Sequence, residues 1–571
     1  MSDVSVSPFF PLSFPFSMAL CSLHPNRISH SDDIRNSLSV CSTGMFKLLI
    51  CIVFFSTFLV SFTTVEGVPI SIPAFNFDVA TWDVGDCVDC SALSDAMHSF
   101  GCFPSSLLIR EEMKAVWSIV LKGLIGGSQW VIVGSPGMGK SVLTVLLCFH
   151  IAKAYNIPVF LARQLKGEGG PQGGQVVLCI RPGGETEGYP KRREDRCDMK
   201  TISANFGRQF GGLVRIITVL DGWAQTELAG PMGAEFGGFD LLATSAKYSR
   251  KKQDTRRLVT MPAWKEGDLE SLGVLHKLGH VDYKERLFYS GGSAREFLRT
   301  VEAIRERIDE AVLSITADNC EGLLAGYGAS PGMGFDTLHS CYLSNNDEDS
   351  YTQASRWEFV VDSTYALRRL RTKAPLAVFE RALLIAKSSG RAHYGWAFET
   401  LVHQLFFVKQ AITLHVQRDD ADEYESISMG SDFSVECIGS NLQEAKDHLA
   451  SRTIDISRSS YWHPDYPSFP VIDGIACVPT NKTVWYIQLT VGEEKIVDFP
   501  ELTAIHLLVQ TSLARSLDAL DIACWKFKYV AIGPSFEDAN RLNLKEKVTK
   551  RKLNCGTVGE VAISKGYLGK F

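Results

Sequence analysis

An α/β region followed by an α+β region is the fold class expected for this chain, on three observations. The first is a glycine-rich octapeptide, Gly134-Ser135-Pro136-Gly137-Met138-Gly139-Lys140-Ser141, set between the apolar runs Trp130–Val133 and Val142–Ala152. The second is an apolar segment that closes on an acid, Arg215–Asp221, after further buried-strand patterns at Ile157–Ala162 and Gln175–Ile180. The third is a change of pattern near Leu383. Beyond it, a helical stretch carrying Glu399 precedes two apolar runs, Phe469–Val478 and Thr483–Val491, joined by the turn Pro479-Thr480-Asn481-Lys482.

Strand, glycine loop and helix with G-x-x-x-x-G-K-S at the junction read as a P-loop, and so as a parallel NTPase sheet (AAA/STAND-like) with a helical lid. Gly134, Gly137 and Gly139 let backbone N–H groups curl around a phosphate, and the helix N-terminus adds a favourable field. Lys140 reaches the β/γ-phosphates and the Ser141 hydroxyl ligates Mg²⁺, which makes ATP and Mg²⁺ the expected cofactors. Asp221 matches the Walker B pattern, in which a strand adjacent to the P-loop strand delivers a carboxylate to the Mg²⁺ shell. The plain alternative is a buried strand closing on an Asp turn.

Gly222-Trp223 follows Asp221, where many hydrolysing ATPases place a glutamate, so rapid turnover is not expected; Glu227 is the acid able to substitute. Gly238–Ser245 ends in small polar residues, as a γ-phosphate-sensing strand does and as an ordinary strand-to-loop transition also does. Helical stretches open at Trp264–Leu269 and Tyr289–Leu298. Within the latter, Gly291-Gly292-Ser293-Ala294-Arg295 resembles the lid element of AAA-type ATPases. Arg295 is therefore a candidate phosphate-approaching arginine, set against a solvated helix-face arginine.

In the C-terminal part, His393–Phe406 reads as an amphipathic helix with Glu399 near its start, followed by the two strands, a helix from about Pro500 to Leu517 and a closing strand Lys528–Ile532. Helix with Glu, strand with Asp, then strand with acid-x-Lys is the order of restriction-endonuclease-like cores, whose carboxylates hold Mg²⁺ against a phosphodiester. Asp473 takes the first strand position and Glu399 the helix position. Gln488-Leu489-Thr490 stands where Glu-x-Lys is expected. A glutamine oxygen ligates a cation without adding charge, and Thr490 has no ammonium to offer a phosphate. The alternative is an ordinary hairpin closed by an edge Asp. DNA is a candidate partner on this reading. The last 31 residues hold eight Lys/Arg and two acids, a pattern open to a phosphate-backbone patch, a nuclear-import cluster or a solvated helix face.

With 571 residues and 45% hydrophobic composition there is room for about three or four domains with sizeable cores. The net charge of −6 excludes a uniformly basic nucleic-acid binder but not a local basic face. The first 44 residues are Ser/Pro/Phe-rich and are expected to lack a fold. The apolar run Leu48–Val60 behind Lys47 is short of the roughly 20 residues a membrane span needs, and reads as a signal peptide over 45–67. On that reading the mature chain carries no stable membrane span. A buried or anchoring helix, or a start other than Met1, are the alternatives.

Fifteen cysteines follow no even spacing. Cys148 and Cys477 read as reduced core thiols, and Cys87-Val88-Asp89-Cys90 lacks the second pair of a zinc site. The expected organisation is a leader over 1–67, a linker region over 68–125, the NTPase with the start of its lid over 126–300, a helical connecting segment over 301–382 and the nuclease-like domain over 383–571.

From about Pro104 onward the chain resembles the Crinkler and retrotransposon-hot-spot superfamily, whose members join a P-loop NTPase to a restriction-endonuclease-like domain. The resemblance rests on Leu108-Ile109-Arg110-Glu111-Glu112, the Gly-Ser-Pro-Gly-x-Gly-Lys-Ser loop, Gly291–Arg295, and the Asp473-Gly474 strand followed by Gln488-x-Thr490. Glu493-Glu494-Lys495 stands where members often carry a His-Pro pair. The resemblance implies an effector that is secreted, enters a host cell and commonly reaches the nucleus, with host proteins as possible partners. A reducing working compartment would reconcile a signal peptide with unpaired cysteines. Two other classes stay open: a nucleotide-switched module that only binds nucleic acid or host protein, and an endogenous, mobile-element-associated ATPase that is never secreted.

Overall fold

Two large sheets carry the chain. In the first, the eight strands run across the sheet as Val68–Ile70, Thr186–Lys191, Gln175–Ile180, Val159–Gln164, Ile217–Asp221, Leu241–Ala243, Trp130–Val133 and Arg257–Thr260. The last five are mutually parallel, and the first three are antiparallel to their neighbours. This computed structural model describes residues 67–101, 103–165, 174–191, 199–211, 214–229, 238–245, 248, 254–316, 322–323, 337–389, 391–417, 423–439, 442–464, 471–547, 556–558 and 561–569, all within the compact unit Val65–Phe571. Apart from Gly67, the leader and the signal-peptide segment lie outside the described residues. Among those described, no helix is long and apolar enough to cross a membrane.

Three sequence expectations about this sheet are corrected. It is mixed rather than wholly parallel, because the Gln175–Ile180 and Thr186–Lys191 strands return as hairpins instead of through crossovers. The Asp221 strand is not adjacent to the Trp130–Val133 strand, since Leu241–Ala243 inserts between them. Residues 68–125 are more than a linker: Val68–Ile70 pairs with Thr186–Lys191, and the Glu111–Ile125 helix buries Met113, Val116, Trp117, Val120 and Leu124.

The second sheet has nine strands, ordered Tyr424–Met429, Ile412–Gln417, Val561–Leu568, Lys526–Gly533, Thr483–Leu489, Gly474–Val478, Ser459–His463 and Phe433–Cys437, with Gly556–Val558 paired to Val561–Leu568. Gly474–Val478 and Thr483–Leu489 form the expected hairpin, and Lys482 closes its turn in the left-handed region. Asp473 directly precedes its strand rather than lying inside it. The Arg391–Phe407 helix places Glu399 near mid-helix, and most of its described side chains are buried or partly buried. It is thus enclosed on several faces rather than amphipathic. At the basic C-terminus, Lys545 pairs with Glu494 and Lys547 with Asp498, both at 2.5 Å, while 548–555 lie outside the described residues. Cys148 and Cys477 are buried free thiols.

Candidate nucleotide site and candidate carboxylate site

The glycine loop lies where five parallel strands end. Gly134, Gly137 and Gly139 all have positive φ (153°, 86° and 96°), a backbone that side chains resist. Gly137 has a second constraint: a Cβ there would strike the Ser293 hydroxyl and the Arg295 Cβ. Gly139 caps the Lys140–Ala154 helix, whose first N–H groups have no partner within the helix. Because the strand carrying Asp221 ends level with this helix start, the Ser141 hydroxyl donates to Asp221 Oδ1 at 2.8 Å across 80 residues of sequence. Lys140 Nζ donates to the loop's own carbonyls, Gly134 O and Ser135 O, at 2.7 Å each.

Two buried arginines flank the site, one bonded to the loop and the other to Asp221, and sequence reasoning assigned neither a role. Arg163, the register partner of Asp221 on the neighbouring strand, donates from Nε to Asp221 Oδ2 at 3.1 Å and from Nη1 to Phe100 O at 3.0 Å. Arg110 donates to Met138 O at 2.9 Å and Ala263 O at 3.2 Å, with its guanidinium 4.3 Å from the Trp264 ring. The available signal was a lone charge inside an apolar strand pattern, Val159-Phe160-Leu161-Ala162-Arg163, since a buried charge needs a partner.

Other expectations fare differently. Glu227 accepts from Ala224 N–H at 2.7 Å and caps its own short helix instead of facing the loop. The Thr244 hydroxyl donates to Trp223 O at 2.7 Å. The segment around Arg295 is two helices: His280–Ser290 ends at the Gly291-Gly292 turn, and Ala294–Phe297 starts afresh with Ser293 as its cap. Arg295 is exposed, with its backbone against Gly137.

In the second sheet, Asp473, Gln488 and Glu399 are drawn toward one region. Asp473 Oδ2 accepts the Leu489 N–H at 2.6 Å and an N–H of the Gln488 amide, and the buried Gln488 Oε1 has no hydrogen-bond partner among the described residues. Glu399 pairs with Arg368 at 2.5 Å and lies 3.4 Å from His403 Nε2. His403 Nδ1 meets the Tyr461 hydroxyl at 2.7 Å. That hydroxyl stands against Gly474, where any Cβ would strike it. Thr490 lies past the strand end, and its hydroxyl accepts from Gly492 N–H at 3.2 Å. Among the described residues no hydrogen bond joins that hydroxyl to Asp473.

Electrostatics separate the two carboxylates. Burial pushes the Glu399 carboxyl up, but the Arg368 guanidinium and His403 overcome this and hold it below the usual value. Asp473 is pushed up to about 7 by burial and then by the Glu399 carboxylate, against Lys495, the Leu489 N–H and Arg368. Lys495, in the Glu493-Glu494-Lys495 segment, thus supplies positive charge to a site that lacks the expected strand lysine.

A pH dependence follows. Folded Asp473 binds its proton more tightly than the unfolded chain, so stability from this group is present below pH about 3.8 and declines as pH rises toward about 7. Denaturation midpoints of metal-free wild type and Asp473→Asn should converge at low pH. At pH 7 the variant should be the more stable, and a constant offset would contradict the assignment. Among the described residues no group of three or more His, Cys, Asp or Glu is arranged to hold a metal.

No family model matches the chain, and no curated protein matches it. Among solved structures it is similar to a signal transduction ATPase with numerous domains (STAND) protein with a tetratricopeptide repeat sensor from Pyrococcus horikoshii. The identity is 10% and the TM-score 0.19, over 51% of this chain and 47% of that one. The chain therefore spans about half the length of that structure, and a superposition at that score defines no shared fold.

Proposed function

We propose that the chain is an ATP-binding P-loop protein in which the nucleotide acts as a conformational switch for a DNA-directed C-terminal site. One observation carries the reading: the Ser141 hydroxyl and the Asp221 carboxylate, 80 residues apart, meet at 2.8 Å beside a left-handed glycine loop and Lys140. That pair suits Mg²⁺, which would neutralise phosphate charge when bound. Lys140, now held by loop carbonyls, has the reach to exchange them for phosphate oxygens.

Slow turnover suits the surroundings. Arg163 already lends Asp221 a positive charge, and Glu227, the acid expected to polarise water, is used as a cap. Asp221→Asn should keep nucleotide binding measurable and lower Mg²⁺-dependent phosphate release, since the metal shell loses a charge. Equal release by both proteins would reduce Asp221 to a strand-end residue.

For the C-terminal site the first reading is metal-dependent cleavage of DNA by Glu399, Asp473 and Gln488. The Gln488 oxygen, buried without a hydrogen-bond partner among the described residues, supports a cation there. The second reading is a binding module for nucleic acid or host protein, favoured because Gln488 turns its N–H toward Asp473 and Arg368 already neutralises Glu399. DNA nicking in Mg²⁺ or Mn²⁺ that vanishes in Asp473→Ala supports the first; wild-type protein that binds DNA and never nicks it supports the second. The Crinkler and retrotransposon-hot-spot resemblance extends the proposal to a secreted effector acting in a host cell, and a mature terminus near Val68 would support that route.

A further inference from the structure

The glycine loop and the Glu399 site are joined by a continuous set of contacts through one short helix, Thr364–Leu370. At the loop end, the Ser293 hydroxyl donates to Pro136 O at 3.1 Å, so the Gly291-Gly292-Ser293 turn rests on the phosphate loop itself. The same turn is clasped from behind: Asp362 Oδ2 accepts Gly292 N–H at 2.7 Å and the Tyr342 hydroxyl at 2.7 Å. There is no room for a side chain at Gly291 or Gly292, because a Cβ on either would strike the Asp362 carboxylate. Next to Asp362, Ser363 donates its hydroxyl to Tyr289 O at 2.6 Å and caps the helix by accepting from Ala366 N–H at 3.1 Å. A cavity of about 20 Å³, bordered by Pro136, Ser293, Asp362 and Ser363, adjoins these groups, room for about one water.

At its other end the helix holds the carboxylate site. Arg368 lies 5.0 Å from the Phe288 ring, on the helix that leads into the Gly-Gly turn, and pairs with Glu399 at 2.5 Å. Arg371 O accepts from Gln404 Nε2 at 2.9 Å, and Arg371 Nη1 contacts His463 Nε2 at 2.8 Å. Arg368 Nε and Nη1 are buried without a hydrogen-bond partner among the described residues. The guanidinium therefore has donors to spare for a second arrangement.

We propose that the Asp362–Arg371 segment is the coupling device of this protein, with Arg368 as the positioning residue that transmits the state of the glycine loop to Glu399. The proposal rests on the nucleotide-binding reading above and names how that site would govern the other. Phosphate binding that draws Lys140 off Gly134 O and Ser135 O reshapes the loop under Ser293. The Gly-Gly turn moves with it, Asp362 follows the Gly292 N–H, and the helix re-aims Arg368.

The test is amide hydrogen exchange of the full chain with and without ATP and Mg²⁺, beside a direct nucleotide titration in the same buffer. In wild type, nucleotide should change exchange in both 364–370 and 394–404, by about fivefold or more if coupling reaches the lower end seen for linked sites. Asp362→Ala and, independently, Ser363→Ala should keep nucleotide affinity within about threefold, well below that coupling, and lose the response at 394–404. Wild type that binds nucleotide while 394–404 stays unchanged would overturn the coupling and leave the nucleotide reading intact. So would variants that both transmit as wild type does. Wild type that binds no nucleotide would overturn both.

Discussion

Arg368→Ala is expected to lower the free energy of unfolding by about 3–5 kcal/mol, the cost of leaving one partner of a buried ion pair alone. The Arg368 and Glu399 side chains are only 5% and 12% exposed, so water offers Glu399 little compensation once the guanidinium is gone. His403, burial-depressed toward its neutral form, is a poor replacement cation. The double variant Arg368→Met with Glu399→Gln should recover most of the loss, because replacing both partners removes the isolated charge. Urea denaturation of the three proteins measures this. A loss under about 1 kcal/mol in Arg368→Ala would mean that the pair behaves as a screened surface contact.

Lys140→Ala should weaken ATP binding by at least about tenfold, since one charge-assisted phosphate contact contributes about 1.5–3 kcal/mol. Two buried arginines near the site are already engaged and so are not available to replace it. Arg110 is held by Met138 O and Ala263 O, and Arg163 by Asp221 and Phe100 O. Circular dichroism of the variant checks that losing the two Nζ hydrogen bonds to Gly134 O and Ser135 O leaves the fold intact. Retained affinity would place the nucleotide elsewhere.

Local features were legible in the residues, and long-range ones were not. The strand, glycine loop and helix around Gly134–Ser141 follow from spacing and φ preference alone, which act within a few residues. The hairpin around Lys482 is legible for the same reason. The position of the Leu241–Ala243 strand between the loop strand and the Asp221 strand is a matter of topology, which apolar periodicity does not encode. Arg163 follows directly on the apolar run Ile157–Ala162, and nothing local in that run names its partner Asp221, 58 residues away. Arg368, in Thr364-Tyr365-Ala366-Leu367-Arg368-Arg369-Leu370, looks like one of two solvated helix arginines until its partner 31 residues away is known. At the carboxylate site the residue order suggested that Glu399, Asp473 and Gln488 draw together. It gave no hint that the amide presents N–H rather than oxygen to Asp473, because that depends on the Leu489 backbone and the surrounding burial.

The most direct measurement is an equilibrium titration of the full-length protein with ATP, ADP and AMP in the presence of Mg²⁺. A loop that grips the β- and γ-phosphates through Lys140 and its backbone N–H groups should bind ATP in a saturable, single-site manner. AMP, which lacks both phosphates, should bind at least about tenfold more weakly, the loss of one charge-assisted contact. No saturable binding of ATP, or equal affinity for AMP, would contradict a phosphate-binding role for Gly134–Ser141.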